Sequence, residues 1–131
     1  MSEPSPSVPD LMAIARRTHY PIEAFNFVQR GLEYTVEQVH GDADPEADPM
    51  SRHVSGQALC QGMRDFAIQE YGLLAKTVLG HWHITNCEDF GCIVFALVDA
   101  KLLAKTDDDS IEDFRDVFDF DAAFSESLTL T

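Results

Sequence analysis

Residues 55–72 read SGQALCQGMRDFAIQEYG, and their apolar residues recur at steps of three and four. The apolar stripe consists of Leu59, Gly62, Met63, Phe66, Ala67 and Tyr71. Ser55 is of the type that caps the start of a helix, and Gly72 is of the type that ends one. The pattern therefore predicts a helix over 55–71 with one face buried in the core.

The residues that follow predict two more helices. A short amphipathic helix over about 73–82 is indicated by Leu74, Val78, Leu79 and Trp82. Thr85 and Glu88 then have the spacing of a capping box. The apolar face behind them consists of Phe90, Ile93, Val94, Leu97 and Val98. We predict a helix over about 86–100, packed against the helix over 55–71 at the centre of the core.

The N-terminal third predicts two helices behind a polar tail. Residues 1–8 contain serines and prolines and little apolar surface, which predicts a disordered tail. Apolar residues at helical spacing indicate helices over about 9–18 and 21–40. The apolar stripe of the longer one is Ile22, Phe25, Gln29, Leu32, Val36 and Val39. The acidic segment 41–50, which contains two prolines, is expected to be a loop.

The C-terminal residues leave the hydrophobic period ambiguous. Ile111, Phe114 and Phe118 have helical spacing, whereas the alternation at 118–120 is typical of a strand that pairs with 102–105. We favour a short turn followed by a small β-hairpin made from these two segments.

The expected fold class is therefore mostly α, or α+β, with a single domain over 9–124. It has about five helices, divided into an N-terminal pair over 9–40 and a winged-helix-like part over 55–120 that carries the hairpin. Residues 125–131 are expected to be a tail.

This winged helix is not expected to bind DNA. Its third helix presents Asn86, Glu88, Asp89 and Asp99, and its wing tip presents Asp107, Asp108 and Asp109. Phosphate contacts need Lys or Arg. The chain of 131 residues has 9 Lys plus Arg against 23 Asp plus Glu, a formal charge of -14. That charge repels nucleic acids and anionic membranes, so we expect neither as a partner.

The sequence favours a cytoplasmic location. No apolar run approaches the roughly 20 residues that span a bilayer, and residues 1–10 lack the apolar stretch of a signal peptide. The three cysteines, Cys60, Cys87 and Cys92, lack the spacing of a disulfide framework. We expect them to be reduced thiols, as is usual in a cytoplasm.

Three segments carry a resemblance to a known family: RHVSGQAL at 52–59, GMRDFAIQEYG at 62–72 and HWHITNCEDFGCIVFALVDAKLLAKTDDDSIEDF at 81–114. Over about residues 10–124 the chain resembles a conserved hypothetical family found mainly in planctomycetes and verrucomicrobia. No activity is assigned to that family. The resemblance implies a bacterial cytoplasmic protein and transfers no catalytic or binding residue.

Four residues within a short segment are of types that bind zinc: His81, His83, Cys87 and Cys92. Their spacing is poor, because a step of two at a helix end points the two imidazoles apart, and a step of five separates the thiols around a helix. We therefore expect core thiols and surface imidazoles, with no bound metal or other cofactor.

Cys87 is the best placed residue for nucleophilic chemistry, since it lies in the first turn of a predicted helix. Glu88 and Asp89 beside it would oppose a thiolate. Nucleotide-binding, hydrolase and metalloprotease motifs are absent from the sequence. The sequence thus assigns no catalytic residue and favours a protein without enzymatic activity.

Arg64 is a basic residue at the edge of the apolar stripe of the helix over 55–71. We interpret it as an ion-pairing or snorkelling side chain, with a bound anionic ligand as the alternative. On these grounds the function expected from the sequence is a noncatalytic cytoplasmic protein-interaction domain whose partner is a basic protein. The alternative is a small metal-binding protein or enzyme that uses the segment from His81 to Cys92.

Overall fold

The computed structural model describes residues 8–41, 54–103, 105–106 and 109–125. These residues form six α-helices: α1 (Val8–Ala15), α2 (Ile22–His40), α3 (Gly56–Tyr71), α4 (Ala75–His81), α5 (Cys87–Asp99) and α6 (Phe120–Ser125). Two 3-10 helices, Gly72–Leu74 and Ile111–Phe114, precede α4 and α6 respectively. The expected tails over 1–8 and 125–131 and the expected loop over 41–50 lie almost wholly outside the described residues, as do Asp107 and Asp108.

The predicted helix over 55–71 is confirmed with both of its end signals. Ser55 precedes α3, and its side-chain oxygen accepts a hydrogen bond of 3.1 Å from the backbone N–H of Ala58. Gly72 ends the helix with φ of +52°, in the left-handed region where residues with a side chain are strained. The short helix predicted next corresponds to the first 3-10 helix and α4.

α2 packs closely on α3 through small residues. A Cβ atom on Gly62 of α3 would lie 2.7 Å from Cβ of Thr35 on α2, which only a glycine permits. Thr35 is buried, and its hydroxyl donates a hydrogen bond of 2.7 Å to the carbonyl oxygen of Gly31. That bond satisfies the buried hydroxyl of Thr35 at this contact between the two helices.

The buried face of α2 is rotated from the predicted stripe. Val39 was expected in the core, but it is 54% exposed, whereas Phe27 lies off the stripe and is only 1% exposed. The ring centroid of Phe27 is 5.4 Å from that of Phe66 on α3 and 6.3 Å from that of Phe90 on α5. α2 is therefore buried on two sides, because it packs against both α3 and α5.

Most core residues expected on α3 and α5 are buried, among them Met63, Phe66, Phe90, Ile93, Val94 and Leu97, whereas Tyr71 and Val98 of the predicted stripes are only partly buried. Their packing partner differs from the prediction, because α3 packs mainly against α2 and has a smaller contact with α5. The second 3-10 helix packs against both α3 and α5. Its Phe114 is fully buried between Gly56 of α3 and Gly91 of α5.

The predicted β-hairpin is wrong. The described residues contain no β-strand, so neither 102–105 nor 118–120 pairs as expected. Phe120 begins α6, and Asp119 caps it by accepting a hydrogen bond of 3.0 Å from the backbone N–H of Asp121. The apparent strand alternation is therefore a helix cap placed between two aromatic residues, Phe118 and Phe120.

The winged-helix-like interpretation fails with the hairpin, because a winged helix requires the paired strands. Asp109, expected at an exposed wing tip, is instead buried. Its carboxylate accepts hydrogen bonds from the backbone N–H of Thr106, at 2.8 Å, and from the hydroxyl of Thr106. This fold is all-helical over the described residues, and none of the helices there is long and apolar enough to cross a membrane.

Candidate functional site

Cys87 occupies the first position of α5, directly after the residue that caps the helix. Asn86 is that residue, and its side-chain oxygen accepts a hydrogen bond of 3.0 Å from the backbone N–H of Asp89, whose carboxylate accepts one of 3.2 Å from Asn86 in return. The capping box therefore lies one residue later than the predicted Thr85 and Glu88. Thr85 also donates to the Asp89 carboxylate from its backbone N–H, at 2.8 Å.

Cys87 is paired with Cys60, which lies on α3. Both side chains are buried, and the two thiols are close enough to shift each other's pKa. The interaction with Cys87, together with burial, raises the pKa of the Cys60 thiol far above its ordinary value. The pKa of Cys87 is lowered to about 7, and the largest cause is Cys60, whose proton stabilises the Cys87 thiolate.

The backbone of residues 117 and 118 completes the surroundings of Cys87. The N–H of Phe118 lies 3.4 Å from the Cys87 sulfur, and backbone N–H groups of Phe118 and Val117 contribute to the lowered pKa of the thiol. Burial acts in the opposite direction, as does the carboxylate of Asp116. The thiol can also donate to the carbonyl oxygen of Phe118, 3.2 Å away. The opposing acid is thus Asp116, not the neighbours in sequence that we expected.

The four residues of the predicted metal segment do not converge. His81 is exposed at the end of α4, Cys92 is exposed on α5, and Cys87 is buried beside Cys60. His83 is exposed in the turn between the helices, with its ring centroid 6.3 Å from that of His19. Across the described ranges, no group of three or more His, Cys, Asp or Glu residues is placed to hold a metal ion.

Sequence reasoning found Cys87 but missed Cys60 as its partner. Cys60 adjoins Leu59 on the buried side of α3, so its burial was predictable from the helical period. The pairing was not, because it depends on how the middle of α3 meets the start of α5. Thiols that far apart in sequence carry no local spacing signal.

Tyr20 links the turn between α1 and α2 to the start of α5. It is buried, and its hydroxyl donates a short hydrogen bond to the Asp89 carboxylate. Burial first, and then Asp89, raise the pKa of Tyr20 well above its ordinary value. The His19 ring packs on Tyr20 with centroids 4.1 Å apart. This contact is structural, because Asp89 is already occupied by its capping bonds.

A groove lies next to the thiol pair, between α3 and α6. Its volume is about 490 Å³, and its lining consists of Arg64, Asp65, Ile68, Phe118, Asp119, Ala122 and Ala123. The Arg64 guanidinium lies 5.8 Å from the centroid of the Phe118 ring, and its Nε is 3.1 Å from the Asp65 carboxylate. Arg64 is thus an ion-paired residue packed on an aromatic ring, in agreement with our interpretation.

Six exposed carboxylates surround the groove and the start of α5, and we call this surface the acidic face: Asp65, Glu88, Glu112, Asp116, Asp119 and Asp121. Asp65 and Asp119 line the groove. Arg115 connects two others, with nitrogens 3.7 Å from Glu88 and 2.9 Å from Glu112. The segment from the second 3-10 helix to α6 therefore carries most of this charge.

No family model matches the chain, and no curated protein or solved structure matches it either. The resemblance to the family of planctomycetes and verrucomicrobia therefore stays a prediction, and so does the bacterial origin that it implies.

Proposed function

We propose that this protein is a noncatalytic cytoplasmic interaction domain, and that its acidic face binds a basic protein. The observation that supports this proposal is the state of the cations on that face. Arg64 is paired with Asp65, Lys76 with Asp121, and Arg115 with Glu88 and Glu112. The cations in this region are therefore already neutralised from within the molecule.

Two carboxylates of the acidic face remain available to a partner. Asp116 and Asp119 are exposed, and neither forms an ion pair with a cation in the described part of the chain. Exposed carboxylates that lack a counter-ion attract Lys and Arg side chains over roughly 10 Å at moderate salt. Such a surface steers association with a basic partner and repels an acidic one.

The cytoplasmic part of the proposal rests on the thiols. Cys60, Cys87 and Cys92 are all free, although Cys60 and Cys87 are in contact. An oxidising compartment converts adjacent thiols to disulfides, whereas a cytoplasm keeps them reduced.

A pull-down from a bacterial lysate tests the proposal when it is done with two matched variants. The first variant combines Asp65→Asn, Asp116→Asn and Asp119→Asn, which removes three charges from the acidic face. Asn is chosen because it can still cap α6 at position 119 and tolerates the positive φ of 51° at position 116. The second combines Glu23→Gln, Glu33→Gln and Glu37→Gln, which removes three exposed charges from α2 instead.

The unaltered protein and the α2 variant are expected to recover the same stoichiometric basic protein. The acidic-face variant should bind that protein about tenfold more weakly, since each exposed charge pair contributes up to about 1 kcal/mol. Recovery should also fall between about 0.05 and about 0.5 M salt. Recovery of no basic protein, or equal weakening by the two variants, would show that the acidic face is not a specific binding surface.

A further inference from the structure

Two buried thiols on α3 and α5, Cys60 and Cys87, interact with each other, and the proposed function does not use them. We propose that Cys60 and Cys87 form an oxidisable dithiol, in which Cys87 reacts with hydrogen peroxide and Cys60 then closes a disulfide with it. This site is separate from the proposed docking of a basic protein, because both thiols lie beneath the surface and not on the acidic face.

The geometry assigns different roles to the two thiols. Cys87 lies at the first position of α5, where the helix dipole favours a negative charge, and the backbone N–H of Phe118 lies 3.4 Å from its sulfur. Cys60 lies in the middle of α3, and among the described residues its thiol interacts with Cys87. Cys87 is therefore the attacking thiolate and Cys60 the resolving thiol.

The reaction balances without any other reactant. The Cys87 thiolate attacks one oxygen of hydrogen peroxide, the O–O bond breaks, and the departing hydroxide takes a proton from solvent to become water. Cys87 is then a sulfenic acid. The Cys60 sulfur attacks the Cys87 sulfur, the S–O bond breaks, and the second hydroxide leaves with the Cys60 proton. The two thiols together lose two electrons, and the peroxide gains two.

A short segment of the chain, residues 115–118, lies between Cys87 and solvent. Residues 115–118 have no helical or strand structure, and the backbone of Phe118 lies directly on the sulfur. The ring of Phe118 lines the groove between α3 and α6, and Arg64 on the groove wall lies one helical turn after Cys60. Phe118 thus separates the groove from the thiol pair. Local opening of residues 115–118 costs less free energy than unfolding of the core.

The charges around Cys87 slow the reaction without preventing it. Asp116 faces the thiol, and Glu88 is the next residue on α5, but Glu88 is paired with Arg115. A neutral oxidant such as hydrogen peroxide is not repelled by this acidic surface, whereas anionic disulfides such as oxidised glutathione are. The chemistry of the surroundings therefore selects peroxide.

The exposed thiol of Cys92 provides an internal reference for the test. The unaltered, folded protein is treated with hydrogen peroxide, and the reaction is quenched with catalase. The protein is then unfolded and labelled with a maleimide before intact-mass and peptide mass spectrometry. We expect loss of two hydrogen atoms, a disulfide that joins the peptides of Cys60 and Cys87, and a single label on Cys92. Dithiothreitol should restore all three labels.

Variants identify the order of the two steps. In Cys60→Ala, oxidation should stop at a sulfenic acid on Cys87 that dimedone traps, and in Cys87→Ala the Cys60 thiol should stay reduced. Cys92→Ala is the matched control and should form the disulfide at the rate of the parent protein. Circular dichroism checks that each variant is folded, and the result on the unaltered protein does not depend on them.

Two results would overturn the proposal. One is oxidation of Cys92 while Cys60 and Cys87 both remain labelled, which would make the pair inert core thiols. The other is a disulfide between Cys60 and Cys87 that forms only after urea has unfolded the chain.

Discussion

A Cβ atom on Gly91 of α5 would lie 2.8 Å from Cβ of Phe114, closer than side chains approach in folded proteins. Phe114 is fully buried, and its ring also lies against Gly56 of α3. Two glycines on different helices thus leave the space that one phenylalanine of the second 3-10 helix fills. This contact anchors the C-terminal segment that covers Cys87.

We predict that Gly91→Ala destabilises the protein by about 1–3 kcal/mol, as overpacking of a core does. The matched control is Gly80→Ala on α4, where an added Cβ would meet nothing within 4 Å. That change should be neutral or stabilise by up to about 1 kcal/mol, because Ala has the higher helix propensity. Urea unfolding of both variants measures the difference, and equal midpoints would contradict the assigned packing of Phe114.

Phe27 is predicted to be the most sensitive residue of α2. Its ring contacts those of Phe66, Trp82 and Phe90, on or next to three other helices. Phe27→Ala should therefore cost about 3–5 kcal/mol.

The control for Phe27 is Val39→Ala at the other end of the same helix. Val39 is 54% exposed, so its truncation should change stability by no more than about 0.5 kcal/mol. Thermal or urea unfolding distinguishes the two. If Val39→Ala were the more costly change, the buried face of α2 would be the stripe expected from the sequence and not the one in the structure.

We predict from the raised pKa of Tyr20 that the free energy of unfolding falls at alkaline pH. Its pKa is raised in the folded state by burial and by the hydrogen bond to Asp89, so the folded protein keeps a proton that the unfolded chain releases near pH 10. The unfolded state then binds fewer protons, and the free energy of unfolding must fall as pH rises above about 10. Below that pH the contribution is fully present.

Urea midpoints measured from about pH 8 to about pH 11 test this dependence. The parent protein should lose stability over the upper part of the range, and Tyr20→Phe should lose less, since it has no proton to release. Tyr34→Phe removes a hydroxyl that lies outside this contact and should retain the full dependence. A parent and a Tyr20→Phe variant with parallel pH profiles would be inconsistent with the bond to Asp89.

The sequence determined those parts of the fold that depend on local chemistry. The helix over 55–71, its cap at Ser55 and its end at Gly72 follow from side-chain period and backbone preference, and all three are confirmed. The helix over about 86–100 is confirmed for the same reason, although its capping box is shifted by one residue because the Asp89 carboxylate reaches back to Asn86. Each of these features is decided within one or two helical turns.

Only the tertiary structure decided where those helices meet. The spacing of Phe118 and Phe120 fits either a strand or a helix start. It is a helix start in the structure, where Asp119 caps α6 and the rings of Phe120 and Phe124, one helical turn apart, are buried together. The contact between Cys60 and Cys87 has the same origin. The residues next to each thiol in sequence do not indicate that the two thiols lie together. Contacts between distant segments arise from the packing of whole helix faces and not from local preference.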